Sequence, residues 1–334
     1  MSGTKRPRIG IAGSGTLAGV RARAVRDTGL AEVVAVGARQ SAKADVLAGE
    51  FPGARGVELD DLLDLGLDAV VVALPHHVQD AFVPRALDAG LDVLVGGPLA
   101  RTARAGRDLV QRQRETGLVV EAGYEARYET LWQRADEILR DGAVGDLVSV
   151  RSNAGFDQVD HGWYVDQELS GGMLVTHLSY AFLNPLRWLL GDPELRGAAG
   201  NTKRATAPGA IAPETCVTVW EFPGEVVASM TASYVKPRGL DDWHVLLVGT
   251  RGALTLYPAD LGRGRLELVR PGHEIVHESS PGDGFDQQAR RFVDAVGRPL
   301  EMRSDQFTAL LNPPADALRD LEFCEQIMSL LSPR

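Results

Sequence analysis

Arg8-Ile9-Gly10-Ile11-Ala12-Gly13-Ser14-Gly15-Thr16-Leu17-Ala18 runs from a short apolar strand straight into a glycine turn. Behind the turn, Leu17, Val20 and Ala24 recur at helical spacing up to the stop signal Thr28-Gly29. A strand, a glycine turn and a helix in that order form a cradle for phosphate. Gly13 allows the tight turn, Gly15 lets backbone approach a pyrophosphate, and Ala18 stands for the third glycine while still permitting close helix–strand packing. The helix that begins near Thr16 and Leu17 offers free N–H groups and the positive end of its dipole to the phosphates.

The pattern continues outward from this stretch. Val33-Val34-Ala35-Val36 and Ala69-Val70-Val71-Val72-Ala73-Leu74 are buried strands, the second closed by Pro75. A helix is expected over 78–89, a strand over 92–95, a helix over 101–116 and a strand at 118–120. Continuous apolar strands alternating with helices mean a parallel sheet covered on both faces, an α/β Rossmann domain. The end of the second strand bears on the cofactor. A domain that binds NAD usually carries Asp or Glu there for the ribose 2′-hydroxyl. Gly37-Ala38-Arg39-Gln40-Ser41 has no acid, and Arg39 and Ser41 suit a 2′-phosphate, so NADP is expected, with NAD as the alternative.

Further along, strands are expected at 147–152, 215–222, 226–234, 245–248, 254–257 and 266–269, separated by turns such as Pro223-Gly224. Helical periodicity returns at 285–296 and 315–331. This half reads as an α+β domain with a large, mainly antiparallel open sheet and helices on one side. The expected division is a dinucleotide-binding domain over 1–123 and a substrate and oligomerisation domain over 124–334. The 334 residues suit two domains, and 44% hydrophobic with 24% charged residues is the composition of a folded chain. A net charge of −10 argues against a nucleic-acid partner. No apolar run reaches membrane-span length, so no membrane partner is expected. Cys216 and Cys324 lack any paired spacing and read as buried hydrophobes in a reducing cytoplasm, with no metal site expected.

Several ordered blocks resemble the glucose–fructose oxidoreductase / inositol dehydrogenase family (Gfo/Idh/MocA). Ala73-Leu74-Pro75-His76-His77-Val78-Gln79 is similar to its A-T-P-N-x-x-H turn, and Ala86-Leu87-Asp88-Ala89-Gly90 to its A-L-E-A-G. Gly123-Tyr124-Glu125-Ala126-Arg127-Tyr128 resembles G-Y-x-x-R-F, and Gly249-Thr250-Arg251-Gly252-Ala253-Leu254 a late G-T-x-G-x-L turn. The resemblance implies cofactor contacts from Leu74, Pro75, His76 and His77 and from Gly96, Gly97 and Pro98, with Trp163 covering the nicotinamide. It also implies a homo-oligomer, dimer or tetramer, formed through the open sheet face. Arg127 and Asp166 are expected to brace the domain junction, and Asp160-His161 to lie in a solvated loop.

Two departures from the family pattern bear on chemistry. Where the family strand ends in Glu-Lys-Pro, this chain reads Gly96-Gly97-Pro98, so the lysine position is Gly97. The family's acid/base histidine is missing from the stretch between Gly172 and Gly191. Counting forward puts Tyr180 at its place and counting back from Arg187-Trp188 puts Ala181 there, so the chain carries about one extra residue, with Pro185 a natural point to absorb it. Moving a hydroxyl proton is worth roughly 10²–10⁴-fold. Tyr180 is the first replacement, His177 the second, one helical turn earlier on the same face, and Tyr164 the third. Packing roles for these residues remain open at this stage. The expected function is an NAD(P)-dependent oxidoreductase, NADP-preferring, acting on a small sugar-like or other carbonyl, imine or alkene substrate. The alternatives are a non-catalytic dinucleotide-binding protein and a non-redox lyase or epimerase. Substrate choice is expected to reside in loops such as 156–167 and 200–213.

Overall fold

The computed structural model describes residues 6–156, 162–164, 166–202, 213–236, 242–258, 263–278, 282–303 and 309–331. Asp160-His161 and most of the loop at 200–213 lie outside them.

The chain forms two units. The first comprises Met1–Glu125 and Phe285–Arg319, the second Ala126–Gly284 and Asp320–Arg334. The sequence reading placed everything after residue 123 in one domain, but the chain crosses three times rather than once. The reason is packing. A helix over Asp283–Val296 presents Phe285, Ala289, Phe292, Val293 and Val296 to the same core as Ile9, Ile11 and Val36. Buried Arg21 completes the anchor, donating to Gln288 Oε1 at 2.9 Å, while Gln288 donates to the Ala122 carbonyl at 3.0 Å. Helical periodicity shows that such a helix exists, but not which core it serves.

In the first unit, strands β1 (Arg8–Ala12), β2 (Glu32–Ala38), β3 (Arg55–Glu58), β4 (Ala69–Val72), β5 (Asp92–Val95) and β6 (Val120–Glu121) form a parallel sheet in the order β3-β2-β1-β4-β5-β6. Helices α1 (Thr16–Asp27), α2 (Ser41–Ala48), α3 (His76–Asp88) and α4 (Ala103–Thr116) connect strands in this sheet. The strand order reverses between β1 and β4, the switch point outside whose carboxyl ends α/β proteins bind ligands. Strand β3 and helix α2 escaped the sequence reading, because Arg-Gly-Val-Glu is too short and polar to show an apolar strand.

In the second unit, β7 (Leu147–Gly155), β8 (Glu194–Asn201), β9 (Thr215–Phe222), β10 (Val226–Ser233), β11 (Trp243–Gly249), β12 (Ala253–Tyr257), β13 (Arg265–Arg270) and β14 (His273–Glu278) form one sheet in the order β14-β13-β12-β11-β7-β10-β9-β8. Every pair is antiparallel except β10 with β7. The unpredicted β8 and β14 are the two edges, where a polar composition protects unpaired backbone from a further strand. Among the described residues, helices α5 (Thr130–Arg140), α6 (Gln167–Ser170), α7 (Met173–Leu178) and α8 (Asn184–Leu190) lie in this unit, α9 (Asp283–Val296) is the helix that returns to the first, and α10 (Pro314–Leu331) runs from the first into the second. One sheet face is buried with Trp132, Leu174, Phe182 and Ile327, whereas Val217, Val219 and Val227 stand exposed. No helix among the described residues is long and apolar enough to cross a membrane.

Candidate functional site

The glycine edge of the first unit follows from its topology. Parallel pairing sets Ala12 beside Val72 and Val72 beside Val95, so the turns after β1, β4 and β5 emerge together. Gly13 adopts φ +119°, and a Cβ there would overlap the Ala73 carbonyl oxygen. Its N–H donates to the Gly37 carbonyl at 2.8 Å. Only glycine fits this position. A Cβ at Gly15 would meet nothing within 4 Å, and Gly15, Thr16 and Leu17 are exposed. No side chain caps α1, and its first turn carries no acid, so its leading N–H groups face outward without an anion of their own. A closed backbone turn beside an open, uncapped helix start fits a dinucleotide pyrophosphate.

Apart from Trp163, which belongs to the second unit, the other residues expected at the cofactor lie on the same carboxyl edge. Ala38 ends β2, Arg39 is exposed beyond it, and Ser41 opens α2. Leu74 and Pro75 follow β4, and His76 and His77 begin α3, His76 buried and His77 half-buried. Gly96, Gly97 and Pro98 follow β5. Gly96 is enforced, since a Cβ there would sit 2.5 Å from the Val72 oxygen. Gly97 is not: it has no left-handed φ, and a Cβ would meet no atom within 4 Å. Buried Gln79 pins this turn by donating to the Pro98 carbonyl at 2.9 Å.

The second unit holds the candidates for proton transfer. From Met173 to Leu190 the chain is helical throughout, but Ser179–Leu183 is a wide π turn between α7 and α8. Such a turn absorbs one residue inserted into a helix. The wide turn lies just ahead of Pro185, in the stretch where the two counts of the sequence differ by one residue. Proline explains the location: it has no N–H for the Ala181 carbonyl, so the regular ladder is already broken at that point. Asp320, fully buried on α10, fastens both ends of the turn, accepting from Ser179 Oγ at 3.3 Å and Asn184 Nδ2 at 2.8 Å and pairing with Arg187 at 3.0 Å. Arg127 donates to the Asn184 carbonyl, bracing this turn within the second unit, and Asp166 caps α6. Within the wide turn Ala181 is buried and Tyr180 half-exposed, so of the two residues given by the two counts only Tyr180 reaches the surface.

His177 lies in the last turn of α7, the helix that packs on β10. Its Nδ1 shares a 2.9 Å hydrogen bond with the hydroxyl of Tyr234, just past β10. Phe156, Tyr164 and Tyr234 surround the imidazole at ring-centroid distances of 4.8, 5.8 and 5.7 Å. Trp163 lies against Tyr164, their ring centroids 4.3 Å apart and the planes tilted by 48°. Burial raises the Tyr234 hydroxyl well above the ordinary phenol value, and burial raises Tyr164 too. Both remain protonated at neutral pH. The structure therefore gathers His177 and Tyr164 into one aromatic cluster and adds Tyr234, which the sequence offered only as the end of a strand. The partners are 57 residues apart, and no local spacing links them. Cys216 and Cys324 are buried, and burial pushes the Cys216 thiol up to about 12 and Cys324 higher still, which leaves both inert.

A switch-point glycine edge on a parallel sheet, in a chain whose second unit is a large open sheet, is the architecture of a nicotinamide-dinucleotide-binding protein. Residues 7–124 match the oxidoreductase family with an NAD-binding Rossmann fold, and residues 132–255 match the GFO/IDH/MocA C-terminal domain. The chain belongs to the Gfo/Idh/MocA family. It is 27% identical over 313 residues to a dTDP-3,4-didehydro-2,6-dideoxy-α-D-glucose 3-reductase from Streptomyces antibioticus, covering 89% of this chain and 88% of that one. A D-xylose 1-dehydrogenase (NADP(+)) from Haloferax volcanii is 26% identical, covering 79% of this chain and 81% of its own. In fold, the chain is similar to a 3-ketoreductase from Actinomadura kijaniata solved with NADP and TDP-benzene, with a TM-score of 0.83, 22% identity and 98% of both chains covered.

Proposed function

We propose that this protein is an NADP-preferring reductase of a ketone or related carbonyl on a small sugar, with protons supplied from the helical run that carries His177 and Tyr180. When bound, the dinucleotide supplies the hydride to the carbonyl carbon. The residues that would hold it are Gly13, Gly15, Thr16 and Leu17 at the pyrophosphate, and Ala38, Arg39 and Ser41 at the adenosine ribose. Leu74 to His77, Gly96 to Pro98 and Trp163 would serve the nicotinamide half.

The observation that carries the proton assignment is the 2.9 Å bond between His177 and a buried, protonated Tyr234. It holds the imidazole in one orientation. When Tyr234 donates to Nδ1, the neutral ring keeps its proton on Nε2, the form of a hydrogen-bond donor. Tyr180, half-exposed in the wide turn, is the first candidate to give its proton to the developing alkoxide, His177 in this oriented form the second, and Tyr164 the third. The arrangement does without the lysine that the family places where this chain has Gly97. NADP preference rests on Arg39 and the missing acid after β2, and the two NADP-linked relatives support it. Homo-oligomer formation through the exposed valine face belongs to the same reading.

The test has two stages. NADPH and NADH fluorescence titrations are expected to show binding of both with NADPH the tighter, and Arg39→Asp is expected to weaken NADPH more than NADH. NADPH oxidation is then followed with free and nucleotide-linked keto sugars, for wild type, Tyr180→Phe and His177→Ala. Activity lost in Tyr180→Phe with dinucleotide affinity intact supports the assignment. The vacant side-chain position at Gly97 favours a second reading, a protein that binds the dinucleotide without turnover. Tight NADPH binding with no oxidation across the panel selects it.

A further inference from the structure

We propose that Glu58 is a specificity-determining residue of the dinucleotide site, an internal anion that competes with a 2′-phosphate for the start of α2. The proposal rests on the dinucleotide reading above. The sequence shows no acid at the end of β2, but the fold brings one there from the neighbouring strand. Glu58 is the last residue of β3, and parallel register places it directly beside Ala38, the last residue of β2. Its Oε1 accepts the Ser41 N–H at 3.3 Å.

That N–H is one of the leading donors of α2. Gln40 precedes the helix without capping it, and the first turn of α2 holds no acid. Glu58 therefore meets a donor that a 2′-phosphate at this corner would also claim. The cations at the same corner point the other way. The side chains of Arg39 and Lys43 are exposed and, among the described residues, make no hydrogen bond or ion pair. Two uncommitted cations attract a 2′-phosphate, while one carboxylate repels it and occupies an amide it needs. With NAD, the same carboxylate suits the ribose 2′-hydroxyl, which donates to it. Glu58 thus lowers the preference for NADP that Arg39 and Lys43 create, and keeps NAD usable.

The experiment measures NADPH and NADH affinity by fluorescence titration in wild type, Glu58→Gln and Glu58→Asp, at low and high salt. Unfolding midpoints without ligand serve as the fold control. Glu58 is exposed, so the midpoints are expected to agree. Glu58→Gln is expected to raise the NADPH-to-NADH affinity ratio about tenfold at low salt, and by less at high salt, as screening of an exposed charge requires. Glu58→Asp keeps the charge but shortens its reach, and is expected to fall between; it reads the same ratio should Glu58→Gln fail to fold. A ratio unchanged within about twofold while both dinucleotides bind, or a weaker hold on NADPH, overturns the role of Glu58 and leaves the dinucleotide reading standing. Failure of wild type to bind either dinucleotide removes both.

Discussion

The glycine edge of the first unit and the helical run 173–190 of the second are built on opposite principles. The edge is made of backbone. Gly13 and Gly96 are fixed by carbonyls that approach within the space of a side chain, and α1 offers its own amides. The helical run is made of side chains that reach it from far along the chain: Tyr234 to His177, Asp320 to both ends of the wide turn. Backbone sites depend on which residue types can adopt a conformation, which neighbouring residues reveal. Side-chain sites depend on which strand lies under which helix, which only the assembled sheet reveals.

Substitution at the edge should therefore be the most damaging. Gly13→Val forces a β-branched residue to φ +119° against the Ala73 carbonyl. We expect dinucleotide affinity to fall by about a hundredfold or more, with fold loss as the extreme, since both the strain and the overlap act together. Titration with NADPH, beside far-UV circular dichroism, checks it. Unchanged affinity in a folded Gly13→Val protein breaks the claim that backbone shape makes this site.

Gly97 is the exception within the edge, and it sharpens the contrast. Because the position is sterically open, Gly97→Lys should fold with an unfolding free energy within about 0.5 kcal/mol of wild type. If the chain turns over without its family's lysine, installing one should raise kcat by about tenfold, the lower part of what a proton-handling group contributes. An insoluble variant shows that Gly97 is structurally required after all. A folded variant with unchanged kcat shows that proton transfer does not limit the reaction.

For the helical run, Tyr234→Phe removes the partner of His177 while keeping the aromatic cluster nearly filled. The lost hydrogen bond should cost about 1 kcal/mol of stability. If Tyr234 positions His177, kcat should fall several-fold with KM little changed, and the acidic limb of the pH profile should move. A stability change without any movement of the pH profile reduces Tyr234 to packing.

Most of the first unit was legible because its strands are continuous apolar runs between glycine stops, as at 33–36, 69–74 and 92–95. Missed there were α2 and β3, and with them Glu58, whose meaning depends on lying beside Ala38. In the second unit the central strands were readable by alternation and the edges were not, because β8 and β14 carry polar residues where an apolar face would attract another strand. Near Tyr180 the two counts differed by one residue, but the local form was hidden: a π turn ahead of Pro185, clamped by Asp320, is set by a contact 136 residues away from Asn184. The return of α9 to the first core was hidden for the same reason, since periodicity shows an apolar face and not its destination.

A buried charge stands apart from both regions: Asp92, at the start of β5, differs in kind from the exposed charges of the cofactor edge. Its carboxyl is fully buried, accepting from the Val119 N–H at 2.8 Å and pairing with Arg303 at 2.8 Å. Burial outweighs both partners and pushes it up to about 6, from an ordinary value of 3.8. The native state therefore holds this proton more tightly than the unfolded chain. Below about pH 4 both states are protonated. Between about 4 and 6 only the native state keeps the proton, so stability from this group declines as pH rises through that window and is gone above it. A rise of this size corresponds to a decline of about 3 kcal/mol. Urea midpoints of wild type and Asp92→Asn compared from pH 4 to 7 isolate it, because other titrating groups are common to both. Relative to the variant, wild type should lose stability across the window and run parallel to it above. A wild-type advantage that grows from pH 4 to 6 instead reverses the sign, and means that Arg303 and the Val119 amide, rather than burial, dominate at Asp92.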